Sequence, residues 1–244
     1  MKKIIVTGGL GFIGSNLIDL LLQKKYFVIN IDKVTYSSNF YNTKEFAKNK
    51  NYKFIKCDIN NKKINNIFNK YKPVCIFNLA AETHVDNSIY SPDPFVTTNV
   101  LGTFNLIKAI YDYGKVEKFI HISTDEVYGS IPAGEKNVDW ERIHLPSNPY
   151  SAGKSGQESL AIAYFKTYKI PLAIINCTNM VGEAQNQEKY IPKAINKILH
   201  DEILTVDTDT DGKMGSRKYI YVGDVASAVW NTATQLMNQV LEPE

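Results

Sequence analysis

Short apolar runs alternate with longer amphipathic segments along the first half of the chain. The runs predict β-strands at 3–7, 27–32, 52–57, 74–79 and 118–123. Apolar positions three and four residues apart predict helices near 12–24, 62–71 and 95–113. Because the strands are apolar throughout rather than alternating, we predict a parallel sheet covered by helices on both faces. The expected fold class is therefore α/β, with a doubly wound parallel sheet.

After Ser123 the spacing of apolar residues becomes less regular. A polar loop at 129–148 precedes a predicted helix at 149–168 and a strand at 172–177. A helix at 191–200, an acidic loop at 207–215, a short strand at 218–222 and a helix at 224–237 follow. We predict two domains, a main sheet domain at 1–177 and a small lobe at 178–244 whose chain returns to the main domain near 218–237.

Composition narrows the class of protein. The 28 Lys and Arg residues nearly balance the 25 Asp and Glu residues, and a formal charge of +3 without a basic stripe argues against nucleic-acid binding. Cys57, Cys75 and Cys177 are too scattered for a disulfide framework or a zinc site. No segment has the length of a membrane helix or the layout of a signal peptide. We expect a cytoplasmic protein with no metal, no nucleic-acid partner and no membrane partner.

A glycine-rich turn, TGGLGFIG at 7–14, follows the first predicted strand and opens the first helix. Gly8 would permit the tight turn, Gly11 would let the backbone approach a pyrophosphate, and Gly14 would allow close packing. The free N–H groups and the positive dipole end of the helix would then bind the phosphates. The motif predicts dinucleotide binding by a Rossmann-like domain, and the alternative is an ordinary structural turn.

Two acids end neighbouring strands of this unit. Asp32 ends the second strand, where it could accept hydrogen bonds from both hydroxyls of the adenosine ribose. Its charge would repel a 2′-phosphate and so favours NAD over NADP, although Lys33 beside it acts in the opposite direction. The alternative is that Asp32 caps a helix or a turn. Asp58 ends the third strand and could either contact the adenine or cap the following helix. Both interpretations of Asp58 stay open.

A tyrosine and a lysine are spaced for acid–base chemistry in the segment YSAGK at 150–154. Tyr150 and Lys154 lie four residues apart and so share one face of the predicted helix. A free tyrosine with a pKa near ~10 is a poor base, and a neighbouring cation would favour the phenolate. We expect Tyr150 to remove a hydroxyl proton during hydride transfer, with Lys154 lowering its pKa.

The segment STDEVYG at 123–129 leaves the fifth strand at its carboxyl end, where ligands of doubly wound sheets bind. Thr124 could hydrogen-bond the hydroxyl that Tyr150 deprotonates. Asp125 and Glu126 place adjacent carboxyl groups in a confined loop, which could move their pKa values apart. One would then act as an acid and the other as a base, and the alternative is a solvated or helix-capping pair.

Together these motifs resemble those of the extended short-chain dehydrogenase/reductase enzymes, most closely the nucleotide-sugar 4,6-dehydratases of the dTDP-glucose type. The matching segments are TGGLGFIG (7–14), IDKVTYSSN (31–39), NLAAETHVDNSI (78–89), TNVLGTFNL (98–106), STDEVYG (123–129), NPYSAGKSG (148–156) and QEKYIP (187–192). Adjacent Asp125 and Glu126 favour glucose 4,6-dehydration, because related epimerases look non-acidic there and GDP-mannose dehydratases and UDP-glucuronate decarboxylases tend to have Ser in place of the Asp.

The resemblance implies a reaction and a cofactor. NAD would oxidise C4 of a nucleoside-diphosphate glucose with Tyr150 as base, Glu126 would remove the C5 proton, and Asp125 would protonate the departing C6 hydroxyl. Hydride would then return to C6, giving a 4-keto-6-deoxy sugar without net consumption of NAD. dTDP-glucose is the expected substrate. The alternatives are UDP-glucose dehydration, an epimerase or decarboxylase reaction, and NAD binding without turnover.

The resemblance also implies the binding residues. Cofactor contacts would come from Gly8, Gly11, Phe12, Ile13, Gly14, Asp32, Lys33, Thr35, Asp58, Ile59, Leu79, Ala80, Ala81, Thr98, Tyr150, Lys154 and Cys177. Substrate contacts would come from His84, Asn179, Lys189 and Arg217, with the lysine and the arginine on the diphosphate. The alternatives are a structural role for His84 and a surface ion pair for Arg217. A homodimer is implied through the helices at 95–113 and 149–168.

Several positions depart from the family pattern. Residues 180–183 read MVGE where the family usually has Asn-Tyr-Gly-Pro, so Glu183 would put a negative charge near the diphosphate if it pointed inward. Asn87 stands where an arginine is common, and Lys218 stands where an aspartate often follows the arginine. Family members also continue beyond the position of Glu244, so we expect a truncated substrate lobe.

Overall fold

Six parallel strands form the main sheet of the protein. The structure is a computed structural model that describes residues 1–130, 143–206, 208 and 211–235. The strands are β1 (Lys3–Thr7), β2 (Phe27–Asp32), β3 (Tyr52–Lys56), β4 (Cys75–Asn78), β5 (Lys118–Thr124) and β6 (Leu172–Cys177). Their order is β3-β2-β1-β4-β5-β6, and every neighbouring pair is parallel. The predicted doubly wound sheet is confirmed, and its strand order reverses between β1 and β4, where such sheets bind ligands.

Helices cover both faces of this sheet. They are α1 (Phe12–Gln23), α2 (Lys63–Tyr71), α3 (Val85–Tyr90), α4 (Asp93–Phe95), α5 (Thr103–Tyr113), α6 (Pro149–Tyr168), α7 (Tyr190–Leu199) and α8 (Val222–Gln235). A π-helical turn (Val96–Gly102) joins α4 to α5, and 3₁₀ turns lie at Phe40–Thr43 and Asp125–Tyr128. Two further strands, β7 (Asn179–Val181) and β8 (Tyr219–Tyr221), pair in parallel as a separate small sheet.

The core is divided into two apolar clusters, one on each face of the main sheet. Ile4 and Val6 of β1 pack with α1 and α8, whereas Ile5 packs with α2, α5 and α6. Successive residues of a strand point to opposite faces, so both faces of β1 are buried. This is why the strand is apolar at every position and why the sequence pattern identified it correctly.

The helix predicted at 95–113 is the element that differs most from expectation. In the structure it is divided into α4, the π-helical turn and α5. A π turn adds a residue to the helical repeat without interrupting the chain of helical residues. Apolar periodicity does not register that addition, so the sequence predicted one continuous helix. Strand β7 and helix α3 are too short to produce a periodic signal, and neither was predicted.

Some predictions fall on residues that the structure does not describe. The loop predicted at 129–148 and the acidic loop at 207–215 lie partly outside the described residues, as does the end of the helix predicted at 224–237. The division into domains at 177 stays a prediction. Within the described residues, no helix combines the length and apolarity needed to cross a membrane, and no cluster of His, Cys, Asp and Glu could hold a metal ion.

Candidate active site

A cavity of about 530 Å³ opens at the carboxyl ends of the strands. It brings together the glycine-rich turn, the ends of β2 to β6 and the first two turns of α6. All of the predicted cofactor residues line it, namely Gly8, Gly11, Phe12, Ile13, Gly14, Asp32, Lys33, Thr35, Asp58, Ile59, Leu79, Ala80, Ala81, Thr98, Tyr150, Lys154 and Cys177. The predicted acid–base residues Thr124, Asp125 and Glu126 line it as well.

The glycine-rich turn leaves no room for side chains. Gly8 has a φ of +70°, and a Cβ there would lie 2.8 Å from the backbone nitrogen of Ala80. A Cβ on Gly14 would overlap the carbonyl oxygen of Gly8. The turn therefore packs directly against the backbone that follows β4, and the glycines are required by sterics as well as by any ligand.

Helix α1 presents its N-terminus to this cavity. Its N-cap is Gly11, and no side chain caps the first turn. The backbone N–H groups of that turn are available to an anion, and the helix dipole favours negative charge at this end. This geometry fits the pyrophosphate of a dinucleotide, as the motif predicted.

The carboxylate of Asp32 is bonded mainly to its own loop. Its Oδ2 accepts from the Leu10 N–H at 3.0 Å, and its Oδ1 accepts from the Val34 N–H at 2.8 Å and the Ser38 Oγ at 2.9 Å. Val34 has a φ of +64°, an uncommon conformation for a β-branched residue, and in this conformation its N–H donates to Asp32. These bonds leave Oδ2 with one further lone pair, so we expect one ribose hydroxyl on Asp32 rather than two.

Lys33 makes contacts that the sequence did not predict. Its Nζ lies 2.9 Å from Glu82 Oε1 and 2.8 Å from Thr98 Oγ1. Glu82 is in turn fixed by Asn99, which accepts from the Glu82 N–H at 2.8 Å and donates to the Glu82 carbonyl at 3.0 Å. Glu82 does not itself line the cavity, but it holds Lys33, which does, and the sequence analysis did not identify it. The available signal was an acid four residues past the apolar run of β4, at the edge where ligands bind.

Asp58 caps its own turn and not the following helix, because the N-cap of α2 is Lys62 and no side chain caps that helix. Its Oδ1 accepts from the Asn60 N–H at 2.8 Å, and Asp58 and Ile59 both line the cavity. Ile59 also packs against Gly102 at the end of the π turn, where a Cβ would lie 2.9 Å from it. Asp58 therefore shapes its own loop while remaining beside the cavity.

Thr124 organises the acidic pair. Its hydroxyl caps the following 3₁₀ turn by accepting from the Glu126 N–H at 3.3 Å, and it donates to Asp125 Oδ1 at 3.4 Å. Burial raises the pKa values of Asp125 and Glu126, and the neighbouring Asp125 raises that of Glu126 further. The two pKa values move in the same direction. Only Glu126 has the additional rise caused by its acidic neighbour, and the separation of the two pKa values that the sequence suggested stays a prediction.

Helix α6 carries Tyr150 and Lys154 on one face, and both are buried. A capping box between Asn148 and Ser151 fixes the start of the helix and so the direction of Tyr150. Burial raises the pKa of Tyr150, and a hydrogen bond with the Thr124 side chain opposes that rise.

Lys154 differs from the expectation in its partner. Its Nζ donates to the Ile122 carbonyl at 3.0 Å, and burial lowers its pKa to about 8. The ammonium group is thus held by β5. Thr124 is the hydrogen-bond partner of the phenol in this geometry, and the lowering of the Tyr150 pKa by Lys154 stays a prediction.

The predicted substrate residues are divided by the structure. His84, Asn179 and Lys189 line the cavity, whereas Arg217 does not. His84 Nδ1 accepts from the Asn87 N–H at 3.3 Å as the N-cap of α3, so the histidine has a structural contact as well. Arg217 is exposed and donates to the Ser216 carbonyl at 2.8 Å. Its role at the diphosphate stays a prediction.

Lys189 and Glu183 are two charged residues that the sequence analysis associates with the diphosphate of the substrate. Lys189 Nζ donates to the Thr83 carbonyl at 3.1 Å, and burial lowers its pKa. Glu183, the acid that replaces the usual proline, is exposed and accepts from the Tyr221 hydroxyl at 2.9 Å. Glu183 is not among the residues that line the cavity. Its charge points away, which removes the conflict that the sequence raised.

A buried polar network ties α6 to the acidic loop. Asn176 Nδ2 donates to Glu158 Oε1 at 2.7 Å and to the Thr124 carbonyl at 3.2 Å. Glu158 also lies 3.4 Å from His144, which hydrogen-bonds Ser155 at 2.6 Å. The network holds the backbone of Thr124 against the helix that carries Tyr150. No sequence motif indicates this network, because its members come from four separate segments.

Comparison with protein families gives one match over nearly the whole chain. Residues 5–241 match the family model described as GDP-mannose 4,6 dehydratase. Among curated proteins, the chain is similar to a dTDP-glucose 4,6-dehydratase from Neisseria meningitidis serogroup B, with 37% identity over 245 residues. That match covers 96% of this chain and 68% of the relative.

Solved structures agree with this likeness. A dTDP-glucose 4,6-dehydratase from Bacillus anthracis in complex with NAD has a TM-score of 0.85 at 35% identity, covering 94% of this chain and 70% of that one. A UDP-glucuronic acid 4-epimerase from Bacillus cereus, in complex with UDP-glucuronic acid and NAD, has a TM-score of 0.87 at 30% identity. The match covers 95% of this chain and 73% of the epimerase.

Proposed function

The chain belongs to the GDP-mannose 4,6 dehydratase family, and we propose that it is an NAD-dependent nucleoside-diphosphate-glucose 4,6-dehydratase acting on dTDP-glucose. One observation carries the proposal. Two adjacent carboxyl groups, Asp125 and Glu126, share a cavity with Tyr150 and with the uncapped N-terminus of α1. An epimerase needs the dinucleotide and the phenol, whereas loss of water from C6 also needs an acid and a base.

The first step is oxidation of the sugar at C4. NAD, when bound, accepts a hydride from C4 and later returns one to C6. Tyr150 takes the proton of the C4 hydroxyl, and Thr124, its hydrogen-bond partner, orients that hydroxyl. Lys154 supplies a cation within the same buried region, which favours the phenolate that this step requires.

The second step is loss of water across C5 and C6. The new ketone at C4 acidifies the C5 proton, and Glu126 removes it. Asp125 donates a proton to the C6 hydroxyl, so that it leaves as water. Their raised pKa values suit these tasks. A carboxyl group with a pKa nearer to neutral is a stronger base when it is ionised, and it is more often protonated when it has to act as an acid. The elimination leaves a double bond, which is reduced when hydride reaches C6 and a proton reaches C5.

The remaining residues hold the ligands. The α1 N-terminus suits the pyrophosphate of NAD, and Asp32 suits a ribose hydroxyl. Lys189 suits the diphosphate of the sugar nucleotide because it is a cation at the cavity wall, and Arg217 would have to turn inward to join it. His84 and Asn179 are the other proposed substrate contacts.

A product assay tests the proposal. Purified protein supplied with NAD and either dTDP-glucose or UDP-glucose should form a 4-keto-6-deoxy sugar, which is measured by its absorbance in alkali. Turnover of UDP-glucose alone would change the nucleotide but keep the reaction. NAD binding with product from neither sugar would instead favour a dinucleotide-binding protein without turnover. Interconversion at C4 without loss of water would favour an epimerase.

We further propose that the protein is a cytoplasmic homodimer. Exposed apolar and aromatic side chains cluster on the π turn, α5 and α6, among them Leu101, Phe104, Tyr111, Phe165 and Tyr168. Tyr111, Tyr164 and Tyr168 pack in tilted and edge-on contacts with ring centroids 4.7 to 6.5 Å apart. A group of exposed apolar side chains of this kind is typical of an interaction surface. Three free, buried cysteines are compatible with a reducing compartment.

A further inference from the structure

Lys33 bridges two segments of the cavity wall that belong to different strands. It follows β2, whereas its acceptors Glu82 and Thr98 follow β4. Strand β1 lies between β2 and β4 in the sheet, so the lysine side chain spans the width of one strand. Its ammonium group has a carboxylate at 2.9 Å and a hydroxyl at 2.8 Å.

The charge of Lys33 matters because of the position of this residue in the chain. It directly follows Asp32, the acid expected at the adenosine ribose. A lysine free to turn toward that ribose would attract a 2′-phosphate, since phosphate oxygens form strong charge-assisted hydrogen bonds with ammonium groups. Asp32 opposes such a ligand, but three donors, one from the glycine-rich turn and two from its own loop, already share its charge. Discrimination against NADP therefore needs the lysine to be neutralised.

Glu82 is well placed to do this. Its backbone is held on both sides by Asn99, and its side chain is only 10% exposed. The Lys33 side chain is 28% exposed, so the pair is partly shielded from solvent. Ion pairs in such surroundings are screened less than pairs on the surface. Glu82 is thus an anion on a fixed backbone, and Lys33 is the cation that it holds.

We propose that Glu82 is a specificity-determining residue that disfavours NADP by holding Lys33 away from the 2′ position of the adenosine ribose. The inference rests on the proposed function, because it requires a dinucleotide in this cavity. It assigns to an acid after β4 a part of the selectivity that the sequence places on Asp32 alone.

Binding measurements on Glu82→Gln test this inference. NAD and NADP are titrated separately into protein freed of nucleotide, and calorimetry gives both association constants. Glutamine keeps the shape of the side chain but removes the charge that holds Lys33. The association constant for NADP divided by that for NAD (the NADP-to-NAD ratio) should therefore rise about tenfold. In the double variant Lys33→Met/Glu82→Gln the rise should disappear. Glu117→Gln is the matched control. Glu117 Oε2 lies 3.5 Å from Lys2 Nζ, and this ion pair is outside the cavity.

The outcomes separate this inference from the proposed function. If Glu82→Gln binds NAD with an unchanged NADP-to-NAD ratio, or if the rise persists in the double variant, the role of Glu82 is wrong while NAD binding stands. If the parent binds neither dinucleotide, the proposed function fails and this inference fails with it. Lys33→Met alone offers an independent check, because it leaves the Glu82 charge unopposed and should lower the ratio below that of the parent. A higher ratio would overturn the inference.

Discussion

At the scale of single residues, Asp125 and Glu126 lie in the same loop and are both partly buried, and both pKa values are raised. The proposed reaction gives them opposite tasks, one donating a proton and the other removing one. A substrate that places C6 and C5 beside different carboxyl groups would assign these tasks. Substitution of one acid at a time can test this division.

Glu126→Gln should retain the structure and NAD affinity of the parent but lose dehydration. The amide cannot take the C5 proton, so we expect turnover to fall by roughly 10²–10⁴-fold. Uptake of deuterium at C5 of the product from heavy water should be lost in parallel, which mass spectrometry measures. The control Glu117→Gln, outside the cavity, should turn over like the parent. Deuterium uptake by Glu126→Gln at the rate of the parent would show that another group is the base.

Lys154 gives a prediction about pH and stability. Burial lowers its pKa from 10.5 to about 8, so below pH 8 the folded protein carries a buried charge that opposes folding. Between pH 8 and pH 10.5 Lys154 is protonated in the unfolded chain but not in the folded protein. The free energy of unfolding of the parent therefore increases as pH rises through this range. The stability of Lys154→Met relative to the parent should therefore fall by about 3 kcal/mol from neutral pH to pH 10.5.

Urea denaturation of both proteins across this pH range measures the effect. Lys166→Met, an exposed position in the same helix, is the control and should show a difference from the parent that stays constant with pH. A constant difference for Lys154→Met as well would mean that the lysine keeps its ordinary pKa in the folded protein.

At the scale of elements, the sequence pattern predicted a strand or helix correctly where the residues of that element alone carry the signal. Strand β1 is apolar throughout because both of its faces are covered, and α6 begins at an Asn-Pro pair that caps it. The pattern failed where position depends on distant partners. Glu82 acquires its partner only when β2 and β4 lie on either side of β1. Local signals carry no information about such contacts.

The π turn offers a prediction at this scale. Asn99, which lies within it, is fully buried and bonds both backbone groups of Glu82. Asn99→Ala would leave a buried N–H and a buried C=O without partners, at a cost of about 2–4 kcal/mol in the free energy of unfolding. Asn196→Ala, at an exposed position of α7, should change it by less than about 0.5 kcal/mol. Equal effects of the two substitutions in urea denaturation would show that the turn does not depend on Asn99.

At the scale of the whole molecule, the catalytic helix has two surfaces with different tasks. One face of α6 places Tyr150 and Lys154 in the cavity, and another presents Phe165 and Tyr168 to solvent beside α5. A second copy of the chain covering that outer face would bury aromatic area on the element that positions the acid–base residues. Association would then stabilise the site, because the helix could not shift without breaking the dimer.

Phe104→Glu tests this coupling. Phe104 is 38% exposed on α5, and in a two-fold dimer each substitution occurs twice in the same interface. We expect the dimer dissociation constant, measured by sedimentation equilibrium, to rise by at least about 100-fold, as for loss of a central aromatic contact. Tyr41→Glu, at a residue that is 73% exposed outside α5 and α6, should leave association unchanged. If the parent is a monomer at tens of micromolar, or if the two variants associate alike, the aromatic face serves another purpose and α6 is held by the monomer alone.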